Sequence, residues 1–264
     1  MTSMSASQTR GRARFGVLVP FTNSNLEPDM AMMRPDGVSL HFARMGGYDE
    51  NKIPDAEQMR GLGDADLEEP LRLLMGVKPD VVLYGCTSAT LAHGPAFDRA
   101  LAARIRDQSG AHTVTAAGAL AHALRALGVS RIGFASPYVS AINDLAVAFL
   151  ADEGFETVRR SEVLEELGND GQGALTPDDV FEHGLKSDTD AAEALVLSCT
   201  DMRSLETLSK LEAAVGKPVI SSNQAMVFQA LDFLQIDQEF PGFGSLLARG
   251  ACRETTTMRE ASNG

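Results

Sequence analysis

The chain has no tryptophan, and its 264 residues hold only three tyrosines, three cysteines and five histidines. Three cysteines form an odd set with no short-range spacing, which excludes a disulfide framework and fits a reducing cytoplasm. No CxxC or HExxH run occurs, and His41, His93, His112, His122 and His183 are scattered, so no metal site is expected. A dinucleotide fingerprint is also missing. Gly168-Asn169-Asp170-Gly171-Gln172-Gly173 lacks the lysine of a phosphate loop and reads as a plain turn or a substrate-covering loop. No cofactor is therefore expected. No apolar run approaches the roughly 18 residues of a membrane span, and Met1 to Ala13 lacks the apolar segment of a secretory signal. That stretch and Arg253 to Gly264 read as disordered tails around a cytoplasmic protein with no membrane partner. Positive charge is scarce: 23 basic against 36 acidic residues leave a net charge of −13, which repels nucleic acid and anionic lipid.

What is present is a chain 44% hydrophobic and 22% charged, able to bury a sizeable core. Short apolar runs at Phe15–Val19, Val38–Phe42, Val81–Tyr84, Thr113–Thr115, Ile132–Ala135, Ala194–Leu197 and Pro218–Ile220 read as strands. Helix-period segments lie between them at Asp55–Met75, Ala96–Arg106, Ala117–Leu127, Ser140–Ala151, Asp178–Leu185, Ser204–Ala214 and Gln224–Leu234. Thr176 is placed to cap the helix that Pro177 begins. Alternating strands and helices, with strands apolar on both faces, predict parallel sheets covered by helices.

The halves repeat. Arg14-Phe15-Gly16-Val17-Leu18-Val19-Pro20-Phe21 returns as Arg131-Ile132-Gly133-Phe134-Ala135-Ser136-Pro137-Tyr138, and Val114-Thr115-Ala116-Ala117 is echoed by Val219-Ile220-Ser221-Ser222. The predicted fold is α/β: two pseudo-twofold-related lobes, each a parallel sheet flanked by helices, with the active site between them. The first lobe covers 14–116 and is completed by 222–252; the second covers 117–221.

Each half carries one cysteine after an apolar run, in Gly85-Cys86-Thr87-Ser88 and Ser198-Cys199-Thr200-Asp201. A single buried cysteine is ordinarily a small hydrophobe. Two thiols at equivalent strand ends are harder to read as core filler, because strand ends are where ligands collect in open α/β sheets. The amides of a following turn would depress a thiol pKa, and could also hold a carboxylate or a developing enolate. Cys252, in the polar tail, reads as inert. His93 lies seven residues after Cys86 and reads as structural. Asn23, in a turn after the first strand, and Tyr138, at the matching place in the second half, are neutral donor candidates.

These motifs together resemble the aspartate/glutamate racemase superfamily, and within it the maleate cis-trans isomerase family with its ectoine-utilisation relatives. Gly216-Lys217-Pro218-Val219-Ile220-Ser221-Ser222-Asn223-Gln224 and Pro241-Gly242-Phe243-Gly244 extend the resemblance across residues 14–250. It implies Cys86 as nucleophile and Cys199 as acid/base, with Asn23, Tyr138 and Asn169 binding carboxylates. Thr87, Ser88, Thr200 and Asp201 complete the expected substrate-binding set. Arylmalonate decarboxylases share this frame with only the second cysteine, so Cys86 argues against their chemistry. The expected activity is a cofactor-independent cis-trans isomerisation of a small dicarboxylate. Two alternatives stay open: a two-cysteine racemase or epimerase of amino acids or hydantoins, since Thr200-Asp201 could recognise an amino group, and a non-catalytic small-acid binding protein. The expected partner is a small carboxylate or amino-acid substrate, and the expected assembly a homodimer.

Overall fold

The computed structural model describes residues 11–46, 49, 55–162 and 167–248, with the backbone alone at 169 and 170. The leader expected to be disordered through Ala13 ends earlier, since Ala13 already begins the first strand; the rest of the expected tails up to residue 10 and from 253, and Cys252, lie outside the described residues. The first sheet is built from β1 (Ala13–Pro20), β2 (Val38–Met45), β3 (Val81–Tyr84) and β4 (His112–Thr115), in the order β2-β1-β3-β4. The second is built from β5 (Arg131–Ala135), β6 (Glu156–Ser161), β7 (Ala194–Leu197) and β8 (Val219–Ser221), in the order β6-β5-β7-β8. Every pairing is parallel. The shared strand order is the structural form of the repeat in the sequence.

Central strands are apolar on both faces because helices cover both. Phe15, Val17, Leu18 and Val19 of β1 are fully buried, as are all four residues of β7. β6 was not among the expected strands. Its sequence, Glu-Thr-Val-Arg-Arg-Ser, is that of a half-exposed edge strand and offers no apolar run to read.

The helices are α1 (Leu26–Met32), α2 (Ala56–Gly63), α3 (Glu68–Met75), α4 (Thr87–Leu91), α5 (Pro95–Ser109), α6 (Ala116–Leu127), α7 (Ser140–Asp152), α8 (Asn169–Ala174), α9 (Pro177–Lys186), α10 (Leu208–Val215), α11 (Ser222–Phe233) and α12 (Gly244–Ala248). The single helix expected over Asp55–Met75 is two, interrupted between Gly63 and Glu68. The segment Gly168–Gly173, expected to be a plain turn or a substrate-covering loop, is instead helical from Asn169, as part of α8. Capping follows the expected chemistry at α9, where Thr176 and Asp179 form a reciprocal capping box.

The echoed halves end alike: Thr115 caps α6 and Ser221 caps α11. These two helices pack on each other more extensively than any other helix pair, and α11 also touches β4 and α1. The alanine-rich face of α6 lets the two backbones approach closely. They join the two sheets into one body and set the carboxyl ends of both sheets around a shared cleft.

Gly85, just before Cys86, is packed closely against the end of β1 and the start of α1. A Cβ there would lie 2.3 Å from Leu26 Cδ2 and 2.8 Å from the Leu18 carbonyl oxygen, to which Gly85 N already donates. Gly85→Ala should therefore lower the urea midpoint without changing the slope, a loss of about 1–3 kcal/mol from overpacking.

Candidate active site

In each sheet the chain leaves the central pair, β1 with β3 and β5 with β7, in opposite directions. A ligand crevice opens at the carboxyl ends of strands at such a switch point. Asn23 follows β1, Cys86 follows β3, Tyr138 follows β5 and Cys199 follows β7. All four line one cavity, together with Thr87, Ser88, Thr200 and Asp201. Asn169 opens α8, and its side chain lies outside the described residues.

Both thiols are buried. Cys86 stands in extended conformation just before α4, and the first turn of that helix closes over it. The amides of Ala89 and Ser88 and the Ser88 hydroxyl, with Cys86 Sγ 3.7 Å from Ser88 Oγ, favour its thiolate. Burial nevertheless outweighs them and pushes the thiol up. The expectation that turn amides alone would depress it is corrected by the dryness of the site. Cys199 is pushed up to about 12, by burial and then by the Asp201 carboxylate beside it. The Asp201 amide donates to its sulfur at 3.3 Å and offsets this only in part. Burial and the Asp201 carboxylate raise both thiols and donors oppose the rise at each, but the carboxylate ranks second among the causes at Cys199 and last at Cys86.

The hydroxyls after the cysteines cross the cleft. Thr87 Oγ1 donates to Ser222 Oγ at 2.9 Å, and Thr200 Oγ1 donates to the Gly85 carbonyl at 2.9 Å while accepting from Asn23 Nδ2 at 3.0 Å. Each threonine that was expected to bind substrate has its one O–H committed to the chain leaving the other sheet. Asn23 Oδ1 accepts from the amides of Asn25 and Leu26 at 3.1 and 2.9 Å, fixing the entry to α1. Its Nδ2 keeps a second N–H beyond the bond to Thr200. Asp201 Oδ1 accepts from the amides of Ser24 and Asn25 at 2.9 and 3.1 Å. Tyr138 is held through Asn143, whose Nδ2 donates to the Tyr138 carbonyl at 3.1 Å. Burial raises the Tyr138 hydroxyl well above its ordinary range, so it stays a neutral donor.

Three lining residues escaped sequence reasoning: Met59 and Leu62 on α2, and Gln172 on α8. The Cys199 thiol faces Gln172 Oε1 at 3.9 Å, and Ser88 Oγ lies 3.0 Å from Met59 Sδ. His93 is turned to other work, stacked on Phe97 at 3.8 Å with Nε2 3.0 Å from the Arg60 carbonyl oxygen. Among the described residues no group of three or more His, Cys, Asp and Glu side chains is placed to hold a metal ion.

The family model described as arylmalonate decarboxylase matches residues 15–247. The chain belongs to this family. Within it the relatives include maleate isomerases, as the motifs suggested: that of Nocardia farcinica is 30% identical over 247 residues, covering 90% of this chain and 96% of the relative. A maleate isomerase variant of Pseudomonas putida S16, solved with maleate, superposes with a TM-score of 0.82 at 28% identity, covering 90% of this chain and 98% of its own. The Nocardia farcinica enzyme has also been solved as a cysteine-to-serine mutant with a covalently bound succinylcysteine intermediate. It has a TM-score of 0.81 at 26% identity and covers 89% and 98% of the two chains.

Beneath the cavity of this family member, Asn223 Nδ2 donates to Asp29 Oδ2 at 2.7 Å and to the Thr200 carbonyl at 3.0 Å. Asp29 is raised to about 7, chiefly by burial, with Glu206 and Asp201 adding to the shift and Asn223 and Arg203 opposing it. The folded protein therefore holds a proton that the unfolded chain releases above about pH 4. Stability contributed by this group is complete at low pH and is lost as pH rises towards about 7. Asp29→Asn keeps the acceptor for Asn223 and removes the ionisation. Urea unfolding at pH 5 and pH 7 should show a smaller loss of stability between the two in the variant than in the wild type.

Proposed function

We propose that this protein is a cofactor-independent isomerase that interconverts the cis and trans forms of a small dicarboxylate, with maleate to fumarate as the model reaction. The observation that carries the reading is a pair of buried thiols in one small cavity, both pushed up by burial, with local donors opposing that rise at Cys86 and Cys199 raised to about 12. Cys86 would add through sulfur to one alkene carbon. The π pair moves to the neighbouring carbon, where its charge spreads into the attached carboxylate. Asn23 and Tyr138 supply neutral donors for that charge. The Cys199 thiol then gives its proton to this carbon, leaving a succinyl thioether on Cys86. Rotation about the new single bond follows. Cys199 takes the proton back, the double bond re-forms and Cys86 leaves as thiolate. Asp201 assists by holding Cys199 protonated until the carbanion needs it.

The unequal thiols weigh against a racemase, which needs two bases of nearly matched strength to run in both directions. The lobes 14–116, completed by 222–252, and 117–221 belong to the same proposal, since each contributes one thiol. Two free thiols at the centre of the site fit a cytoplasmic setting. A homodimer is proposed as the assembly; Leu73, 58% exposed beside the β2 edge, is an apolar surface that a second subunit could cover.

Purified protein should convert millimolar maleate to fumarate by proton NMR without any added cofactor. Serine cannot supply a nucleophile near neutral pH without a strong base. Cys86→Ser and Cys199→Ser should each lose at least about a hundredfold in kcat, the double mutant should be little worse, and Cys252→Ser should be silent. Cys199→Ser incubated with maleate should gain the mass of one maleate on Cys86. A Cys86→Ser protein with wild-type turnover would refute this assignment.

A further inference from the structure

The peptide group between Thr200 and Asp201 is held at both ends. Its N–H donates to Cys199 Sγ at 3.3 Å, and its carbonyl accepts from Asn223 Nδ2 at 3.0 Å. The bond is trans, so the two groups point in opposite directions from one rigid plane. Fixing the oxygen therefore fixes the direction of the N–H. Thr200 is anchored through its hydroxyl and Asp201 through its carboxylate; Asn223 grips the plane between them. That N–H opposes the rise of the Cys199 thiol, against burial and the Asp201 carboxylate.

Asn223 is buried in the first turn of α11, and its Nδ2 has a second acceptor, Asp29 Oδ2 of α1, at 2.7 Å. A carbonyl oxygen can only accept, so the amide must turn its nitrogen to Thr200, and the bond to Asp29 holds it that way. Asn223 Oδ1 is left buried with no hydrogen-bond partner among the described residues. That is an unfavourable state for an amide oxygen, which the two bonds at the nitrogen must outweigh. The repeat isolates the feature. Two residues after the cap of α11 stands Asn223, whereas two residues after the cap of α6 stands Ala117. Cys86 takes its amides from the first turn of α4 instead. We propose that Asn223, oriented by Asp29, is a positioning residue for Cys199: it keeps the Asp201 N–H aimed at the sulfur and so stabilises the thiolate left when Cys199 gives its proton to the substrate carbon. The inference rests on the isomerase reading for that proton transfer. Neither Asn223 nor Asp29 lines the cavity, so substrate binding should be untouched.

Asn223→Ala removes the donor and leaves space, and Asn223→Leu removes it while keeping the volume. Both, on the full chain, should lower kcat for maleate at least about tenfold with KM within about twofold of wild type. Asp29→Asn keeps an acceptor for Nδ2 and should retain more of kcat than Asp29→Ala. A second readout requires no turnover. With Cys86→Ser and Cys252→Ser in place, Cys199 is the remaining cysteine. Its alkylation by iodoacetamide at pH 9 should slow at least about threefold in either Asn223 variant. That is the net effect of a tenfold loss of acidity, offset by the greater nucleophilicity of a more basic thiolate. Unchanged kcat or unchanged alkylation in folded Asn223 variants overturns the proposal, as does a rise in KM that accounts for the loss. If neither Asn223 variant folds, the Asp29 pair decides: equal kcat and equal alkylation in Asp29→Asn and Asp29→Ala overturn it. Slower alkylation in the Asn223 variants of a protein that isomerises no alkene would remove the isomerase reading and leave the positioning role standing.

Discussion

The cleft is held in shape by two threonine hydroxyls that cross it. Thr87 reaches Ser222 at the start of α11, and Thr200 reaches the carbonyl of Gly85, next to Cys86. Each bond contributes only about 1 kcal/mol net, but leaving such a buried group without its partner costs about 1–3 kcal/mol. Their larger effect is geometric. Each loop that carries a thiol is anchored directly to the chain leaving the other sheet, and Asn23 and Asn223 add bonds to Thr200 from the end of β1 and from α11. A shift of either lobe would break several of these bonds together, so the spacing of the thiols is coupled to the packing of α6 on α11.

Among the described residues the cavity lining offers neutral donors and no cation to a small acid. Neutral N–H and O–H groups can stabilise a charge that appears during reaction without binding the ground state strongly. Apolar Met59 and Leu62 on one side keep the dielectric low, which strengthens those donors. The same dryness raises both thiols, and the Cys86 loop answers with two amides and a hydroxyl. Burial is thus the source of both the difficulty and the catalytic leverage.

The parallel sheets, the repeat and the cysteine loops were legible in the sequence because each is written locally, as an apolar run followed by a turn. Asp201 and Thr200 were legible as neighbours of Cys199, but their partners Ser24 and Gly85 were not, since those contacts bridge distant parts of the chain. β6 escaped because an edge strand with two arginines has no apolar signature. α8 escaped because a segment with glycines at 168, 171 and 173 has poor intrinsic helix propensity; packing of Gly173 against Asn25 and Asp201 supplies what propensity lacks. Gln172, Met59 and Leu62 carried no distinguishing pattern and became visible only once α8 and α2 were placed. Asp29 gave no signal as an acid inside a short helix, and its burial depends on Asn223, far away in sequence.

Ser88 and Asp201 occupy the same place in the two copies, two residues after each cysteine. In one copy the side chain is a hydroxyl near the thiol; in the other it is a carboxylate that opposes ionisation. An ancestor with identical halves would have had two interchangeable sulfurs and no means of telling one face of a ligand from the other. Divergence at this position gives the two sulfurs different surroundings, and it needs no rearrangement of the backbone. The repeated frame is shared by both halves, and this side chain helps to give it a direction.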